Sequence, residues 1–122
     1  MPKRILVVDD EPEIAFLIKR RLIKNGYEVF MAHDGASALS LVKKERPDVI
    51  ILDIMMPEPD GLQVCRTLKQ DPQYRSVPII LLSARDQQKD KDAGQQAGAD
   101  MYITKPFEPD DLMRNVKALL GE

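Results

Sequence analysis

The sequence is short of cysteine, of net charge and of long hydrophobic runs, and each shortage excludes a class of protein. One cysteine in 122 residues, Cys65, rules out an intramolecular disulfide framework and a multi-thiolate metal site, and it fits a reducing, cytoplasmic setting. Eighteen basic against 20 acidic residues leave a net charge of −2, so no field draws the chain to nucleic acid or to an anionic membrane. No run approaches the roughly 18 apolar residues of a membrane span. The start, Met1-Pro2-Lys3-Arg4-Ile5, leads into a short apolar run and then acids, unlike a signal peptide.

What is present is an ordinary globular balance, 43% apolar and 31% charged, over a length that suits one domain spanning residues 1–122. Three short runs are continuously apolar: Ile5 to Val8, Val49 to Leu52 and Ile79 to Leu82. Such runs predict strands covered on both faces, because a half-exposed strand alternates apolar with polar residues. Tyr27 to Ala32 and Met101 to Thr104 are mixed in character and predict edge strands. Between them, apolar residues recur at helical spacing from Pro12 to Asn25, Ala36 to Glu45, Leu62 to Gln70 and Pro109 to Leu120. The segment from Asp86 to Gly98 is the exception: polar, with Gly94 mid-segment and only Ala93 and Ala97 to pack, it predicts a weakly held helix.

Five strands alternating with five helices predict an α/β fold, a doubly wound parallel sheet with right-handed crossovers. Three buried and two edge strands fit the flavodoxin-like order 2-1-3-4-5. Ligands in such sheets bind outside the carboxyl ends of the strands, where the winding reverses between strands one and three.

Asp9, Asp10 and Asp53 converge there, with Ser83 at the end of strand four and Lys105 just past strand five. Two carboxylates 4–5 Å apart repel by roughly 3–4 kcal/mol at an effective dielectric near 20, a cost that serves no fold. Clustered hard oxygens suit Mg²⁺, or Mn²⁺ in its place, which takes one or two carboxylates, water and phosphate oxygens. Phosphoryl transfer then needs a nucleophile and a cation, which Asp53 and Lys105 supply. Glu11 and Asp60 are expected to cap helices or solvate loop tops. Cys65 is expected to pack in the core, His33 to sit in a surface loop, and Arg20-Arg21 and Lys43-Lys44 to lie on solvated helix faces.

The separated motifs ILVVDDE at 5–11, LDIMMPEPDG at 52–61, LLSA at 81–84 and GADMYITKPF at 98–107 together resemble a response-regulator receiver domain of two-component signalling. The resemblance implies that Asp53 accepts a phosphoryl group from a histidine kinase or phosphotransfer protein, or from a small donor such as acetyl phosphate. It implies that Asp10 and Asp53 hold the metal directly, Asp9 acts mainly through water, and the Met55 backbone carbonyl completes the site. Ser83 would turn toward the phosphoryl group, Tyr102 would follow it inward, and Lys105-Pro106 would be a cis peptide. Output would pass through the face of the fourth helix, fifth strand and fifth helix to a downstream domain or partner, or to a phosphorylation-dependent homodimer. With no output domain expected in these residues, direct nucleic-acid or membrane binding is not predicted.

Met55, Arg85 and the Asp100-Met101 pair depart from the commonest family pattern, so hydrolysis rate and dimerisation do not carry over. Two other classes share parts of this pattern. A flavodoxin-like redox protein would need a hydroxyl- or glycine-rich phosphate loop after strand one, where Asp9-Asp10-Glu11 stands instead. A metal-dependent aspartyl phosphatase would carry both acids on one D-x-D loop, and Asp53-Ile54-Met55 lacks the second.

Overall fold

In the computed structural model, which describes residues 2–122, the elements run β1 (Arg4–Val8), α1 (Pro12–Lys24), β2 (Glu28–Ala32), α2 (Gly35–Glu45), β3 (Val49–Asp53), α3 (Gly61–Gln70), β4 (Ile79–Ser83), α4 (Gln88–Gln96), β5 (Met101–Thr104) and α5 (Pro109–Leu119). All five strands are parallel, in the order β2-β1-β3-β4-β5.

The unbroken apolar runs are explained by two cores, one on each face of the sheet. Leu6, Val8, Ile50, Leu52, Ile79 and Leu81 point toward α2, α3 and the Ala97 end of α4. Their neighbours Ile5, Val7, Val49, Ile51, Ile80 and Leu82 point toward α1 and α5. Each such side chain, at 0–1% exposure, contributes roughly 1.5–3 kcal/mol of burial. The edge strands are only half-buried over most of their length.

Helix starts are set by local chemistry. Asp34 accepts from the Ser37 N–H at 2.7 Å to open α2. Asp60 and Gln63 form a reciprocal capping box at 2.9 and 2.7 Å to open α3, the capping role expected of Asp60. Pro12 and Pro109 stand in the first turns of α1 and α5.

Along α1 the buried stripe runs through Ala15, Ile18 and Leu22, and Leu17 lies on the solvent side, 47% exposed. Two expectations are corrected. Tyr27 precedes β2 rather than opening it, and its hydroxyl donates to Glu122 at 2.6 Å. Gly94 is the buried position of α4: a Cβ there would stand 2.9 Å from Tyr102 Cδ2 and 3.2 Å from Leu81 Cδ1, so glycine lets the ring lie against the helix.

Candidate active site at the sheet's carboxyl edge

The three central strands deliver the site. β3 carries Asp53 to its last position, paired across from Leu82 of β4, and the Ile54 N–H donates to the Leu82 carbonyl at 2.9 Å. The chain then turns so sharply that Gly61, the first residue of α3, lies against the Asp53–Ile54 backbone, with its missing Cβ 2.6 Å from Ile54 Cα. Only glycine permits that approach. Asp53 is thereby fixed at the top of a buried strand, 2% exposed, its Oδ1 accepting the Met55 N–H at 3.2 Å.

β1 delivers Asp9, fully buried. Its Oδ1 accepts the Glu11 N–H at 2.9 Å and its Oδ2 accepts from Lys105 Nζ at 3.0 Å. Lys105 reaches in from the loop after β5, where its own N–H donates to the Ser83 carbonyl at 2.8 Å. The ammonium also lies 3.4 Å from Asp53 Oδ2 and 3.4 Å from Glu11 Oε1. Lys105-Pro106 is cis, as the resemblance implied, and Glu58-Pro59 is cis as well.

The electrostatics follow from burial. Removal from water pushes the Asp53 carboxyl up from 3.8 to about 6, and the neighbouring Asp9 charge adds to the rise; Lys105 and the Met55 N–H oppose it. Burial works to lower the Lys105 ammonium, but the Asp9 hydrogen bond and the charges of Asp53, Asp9 and Glu11 outweigh it, and its pKa is raised. One cation among three carboxylates leaves an excess of negative charge.

Oxygens from Asp9, Asp10, Glu11 and Asp53 all lie within 4.8 Å of one another. Hard carboxylate oxygens at that spacing fit a divalent cation, with two of the acids exposed and able to leave water in the shell. Of the two roles expected of Glu11 the structure shows no side-chain cap bond on α1; the residue is exposed at the loop top, as expected, and its carboxylate also reaches Lys105 and the acids. Its part was hidden because the Lys105 position depends on the fold of the β5–α5 loop.

Ser83 is fully buried at the end of β4, its Oγ accepting the Arg85 N–H at 3.0 Å. Tyr102, in register with Leu81, donates its hydroxyl to the Arg85 carbonyl at 2.7 Å. Met55 is 47% exposed at the pocket's edge. His33, in the expected exposed loop, does more than solvate: its Nδ1 lies 3.2 Å from the Asp9 carbonyl oxygen. Cys65 is buried, its thiol pushed up to about 11 by burial, as a packing residue should be.

Residues 5–117 match the response regulator receiver domain family, and the chain belongs to it. It is 47% identical over 120 residues to the alkaline phosphatase synthesis transcriptional regulatory protein PhoP of Bacillus subtilis (strain 168), a match covering 98% of this chain and 49% of that protein. The chain therefore spans about half the length of the curated relatives it matches. Among solved structures, it is similar to the chemotaxis protein CheY4 of Vibrio cholerae, with TM-score 0.92, 33% identity and coverage of 98% and 99% of the two chains. The receiver domain of the sensor histidine kinase PA1611 of Pseudomonas aeruginosa PAO1, which holds a magnesium ion in its active-site cleft, gives TM-score 0.90 and 33% identity over 100% of both chains.

The chain is thus a phosphorylation-switch receiver domain. Its acidic cluster is consistent with a phosphoaccepting site, and its chemistry is that of its own phosphoryl transfer and hydrolysis. Among the described residues, no helix is long and apolar enough to cross a membrane.

Proposed function

We propose that Asp53 is the phosphoacceptor and that residues 1–122 form one receiver domain acting in the cytoplasm. The observation that carries this is the buried Asp53 carboxylate set against both Asp9 and the Lys105 ammonium. An Asp53 oxygen forms a bond to phosphorus as the bond from phosphorus to the donor's imidazole nitrogen, or to the acyl oxygen of a small donor, breaks. Burial leaves the acid poorly solvated and so a more reactive nucleophile for forming the acyl phosphate. Lys105 is placed to shift its hydrogen bonds onto a phosphoryl oxygen. The Ser83 hydroxyl, which now accepts from the Arg85 N–H, can rotate to donate to another.

The metal would be held by Asp10 and Asp53, by Asp9 mainly through water, and by the Met55 carbonyl. Mg²⁺, or Mn²⁺ in its place, would supply neutralisation of the charge on the transferring group; the magnesium in the PA1611 receiver domain supports a divalent ion at this position.

Phosphorylation would draw Ser83 and Arg85, and with them Tyr102, toward one arrangement, since the Arg85 backbone links Ser83 Oγ to the Tyr102 hydroxyl. α4 is polar and buries little beyond Gly94 and Ala97, so the α4-β5-α5 face can move at small cost and signal to a partner or output domain. Asp100 is already committed within the chain, to Lys69 Nζ at 3.0 Å and the Ile79 N–H at 2.8 Å. A homodimer across this face would therefore draw on other residues. The donor, a histidine kinase or phosphotransfer protein, has an apolar foothold in the exposed Phe16 and Leu17 of α1, the helix that leaves the acidic rim.

Acetyl phosphate with Mg²⁺ should add one phosphoryl mass to wild type, on a peptide containing Asp53, and none to Asp53→Asn. Modification elsewhere, or equal modification of the variant, would sink the assignment. An acyl-phosphate mimic with Mg²⁺ should also change amide exchange at residues 86–98 and around Tyr102.

A further inference from the structure

We infer that His33 is a positioning residue for the metal-holding acids, acting through the Asp9–Asp10 peptide; the inference rests on the reading of Asp9 and Asp10 given above. β1 and β2 pair in parallel from Arg4 with Glu28 to Val8 with Ala32. The ladder starts with the Glu28 N–H on the Lys3 carbonyl at 2.9 Å and runs past both strands to the Asp9 N–H on the Ala32 carbonyl at 3.2 Å. The next rung of an evenly spaced parallel ladder would be the Asp34 N–H on the Asp9 carbonyl.

That rung is missing. Asp34 turns away to cap α2, and among the described residues no backbone N–H reaches the Asp9 carbonyl. The His33 imidazole takes its place, with Nδ1 at 3.2 Å. A carbonyl oxygen only accepts, so Nδ1 carries the proton and donates it.

The carbonyl belongs to the peptide plane that joins Asp9 to Asp10. The Asp9 carboxylate is gripped at both oxygens, by the Glu11 N–H and by Lys105, and its N–H is gripped by Ala32. His33 grips the remaining side, toward Asp10. Asp10 is exposed, so the direction of its carboxylate follows from the backbone that carries it. Rotation of this one plane would swing Asp10 against Asp9. Mg²⁺ demands near-octahedral ligand geometry, and a partner that orients a ligand is commonly felt in metal affinity. For a contact this long and this exposed, the expected loss is about three- to tenfold.

The test is calorimetric titration of Mg²⁺ into wild type, His33→Ala, His33→Asn and His33→Gln, with thermal unfolding of each in EDTA. Asparagine can present an amide nitrogen where Nδ1 stands, whereas glutamine carries its amide one bond farther. His33→Ala and His33→Gln should bind Mg²⁺ about three- to tenfold more weakly, while His33→Asn stays within about twofold of wild type. The metal-free midpoints should agree within about 2 °C.

Unchanged affinity in His33→Ala, or an Asn variant as weak as the Ala variant, would overturn the inference. So would an affinity loss matched by a fall in metal-free stability, which marks a merely structural role. If His33→Ala does not fold, the contrast between Asn and Gln still decides. Wild type that fails to bind Mg²⁺ defeats the reading of the pocket itself, and this inference with it; wild type that binds while His33→Ala is unchanged defeats this inference alone.

Discussion

Replacing the candidate phosphoacceptor should make the metal-free protein more stable, and the size of the gain follows from the pocket. Asp53 is 2% exposed, and burial with the Asp9 charge raises its carboxyl from 3.8 to about 6. At about 1.4 kcal/mol per pH unit, holding this group ionised in the folded state costs ~3 kcal/mol at neutral pH. The sign is that of a raised acid: the unfolded chain releases the proton first. Stability is therefore lost as pH rises from about 4 to about 6 and is level above that. Asp53→Asn removes the charge and leaves Lys105 paired with Asp9 and Glu11, so no ammonium is stranded. In EDTA at pH 7.5 the variant should be ~2–3 kcal/mol more stable than wild type, a rise of about 6–12 °C in midpoint for a chain of this length. At pH 4 the gap should shrink below ~1 kcal/mol, because wild-type Asp53 is then protonated in the folded state. Saturating Mg²⁺ should narrow the neutral-pH gap, since wild type keeps the carboxylate that binds it. Urea or thermal unfolding at the two pH values measures all three quantities. A variant no more stable than wild type at pH 7.5, or a gap of equal size at pH 4, would refute the reasoning.

Lys105→Met leaves Asp9 and Asp53 buried without their cation, and metal-free stability at pH 7.5 should fall by ~2–4 kcal/mol, less at pH 5, by urea unfolding. Gly61→Ala drives a Cβ into the Asp53–Ile54 backbone, which cannot rotate aside, and should cost about 3 kcal/mol or more. Gly94→Ala meets side chains rather than backbone, the edge of the Tyr102 ring at Cδ2 and the Leu81 Cδ1 methyl: the helix gains up to ~1 kcal/mol of propensity, the Tyr102 ring must move, and its bond to the Arg85 carbonyl should break. Net stability should change by less than ~1 kcal/mol while the Tyr102 ring resonances shift; unshifted resonances would contradict the packing described.

The parts of the site legible from sequence are those that ride on strand ends. Val49 to Leu52 is apolar on both faces because two cores press on β3, and an acid directly after such a run has one place to go, the rim where the strand surfaces. The same logic placed Asp9 and Asp10 beside Asp53 once the order of the strands was known, and that order followed from which runs were continuously apolar. Register then follows from the parallel ladder, so one strand's end aligns with the next. Lys105 and Ser83 were legible for the same reason.

What sequence spacing could not supply were contacts made by loops across the rim. Glu11 reads as a helix-start acid, and nothing local says that the β5–α5 loop will bring Lys105 to within 3.4 Å of it. His33 reads as a loop histidine, because the missing ladder rung it replaces is visible only when β1 and β2 are paired residue by residue. Gly94 is the sharpest case. By propensity it weakens α4, but the gap it leaves is occupied by Tyr102, whose hydroxyl is tied to the backbone two residues past Ser83. The residue that loosens the helix is thus also the one that seats the aromatic ring linking the helix to the pocket. Weak intrinsic propensity in α4 and its coupling to the pocket share one residue, and Gly94→Ala should separate them by stiffening the helix while unseating the ring.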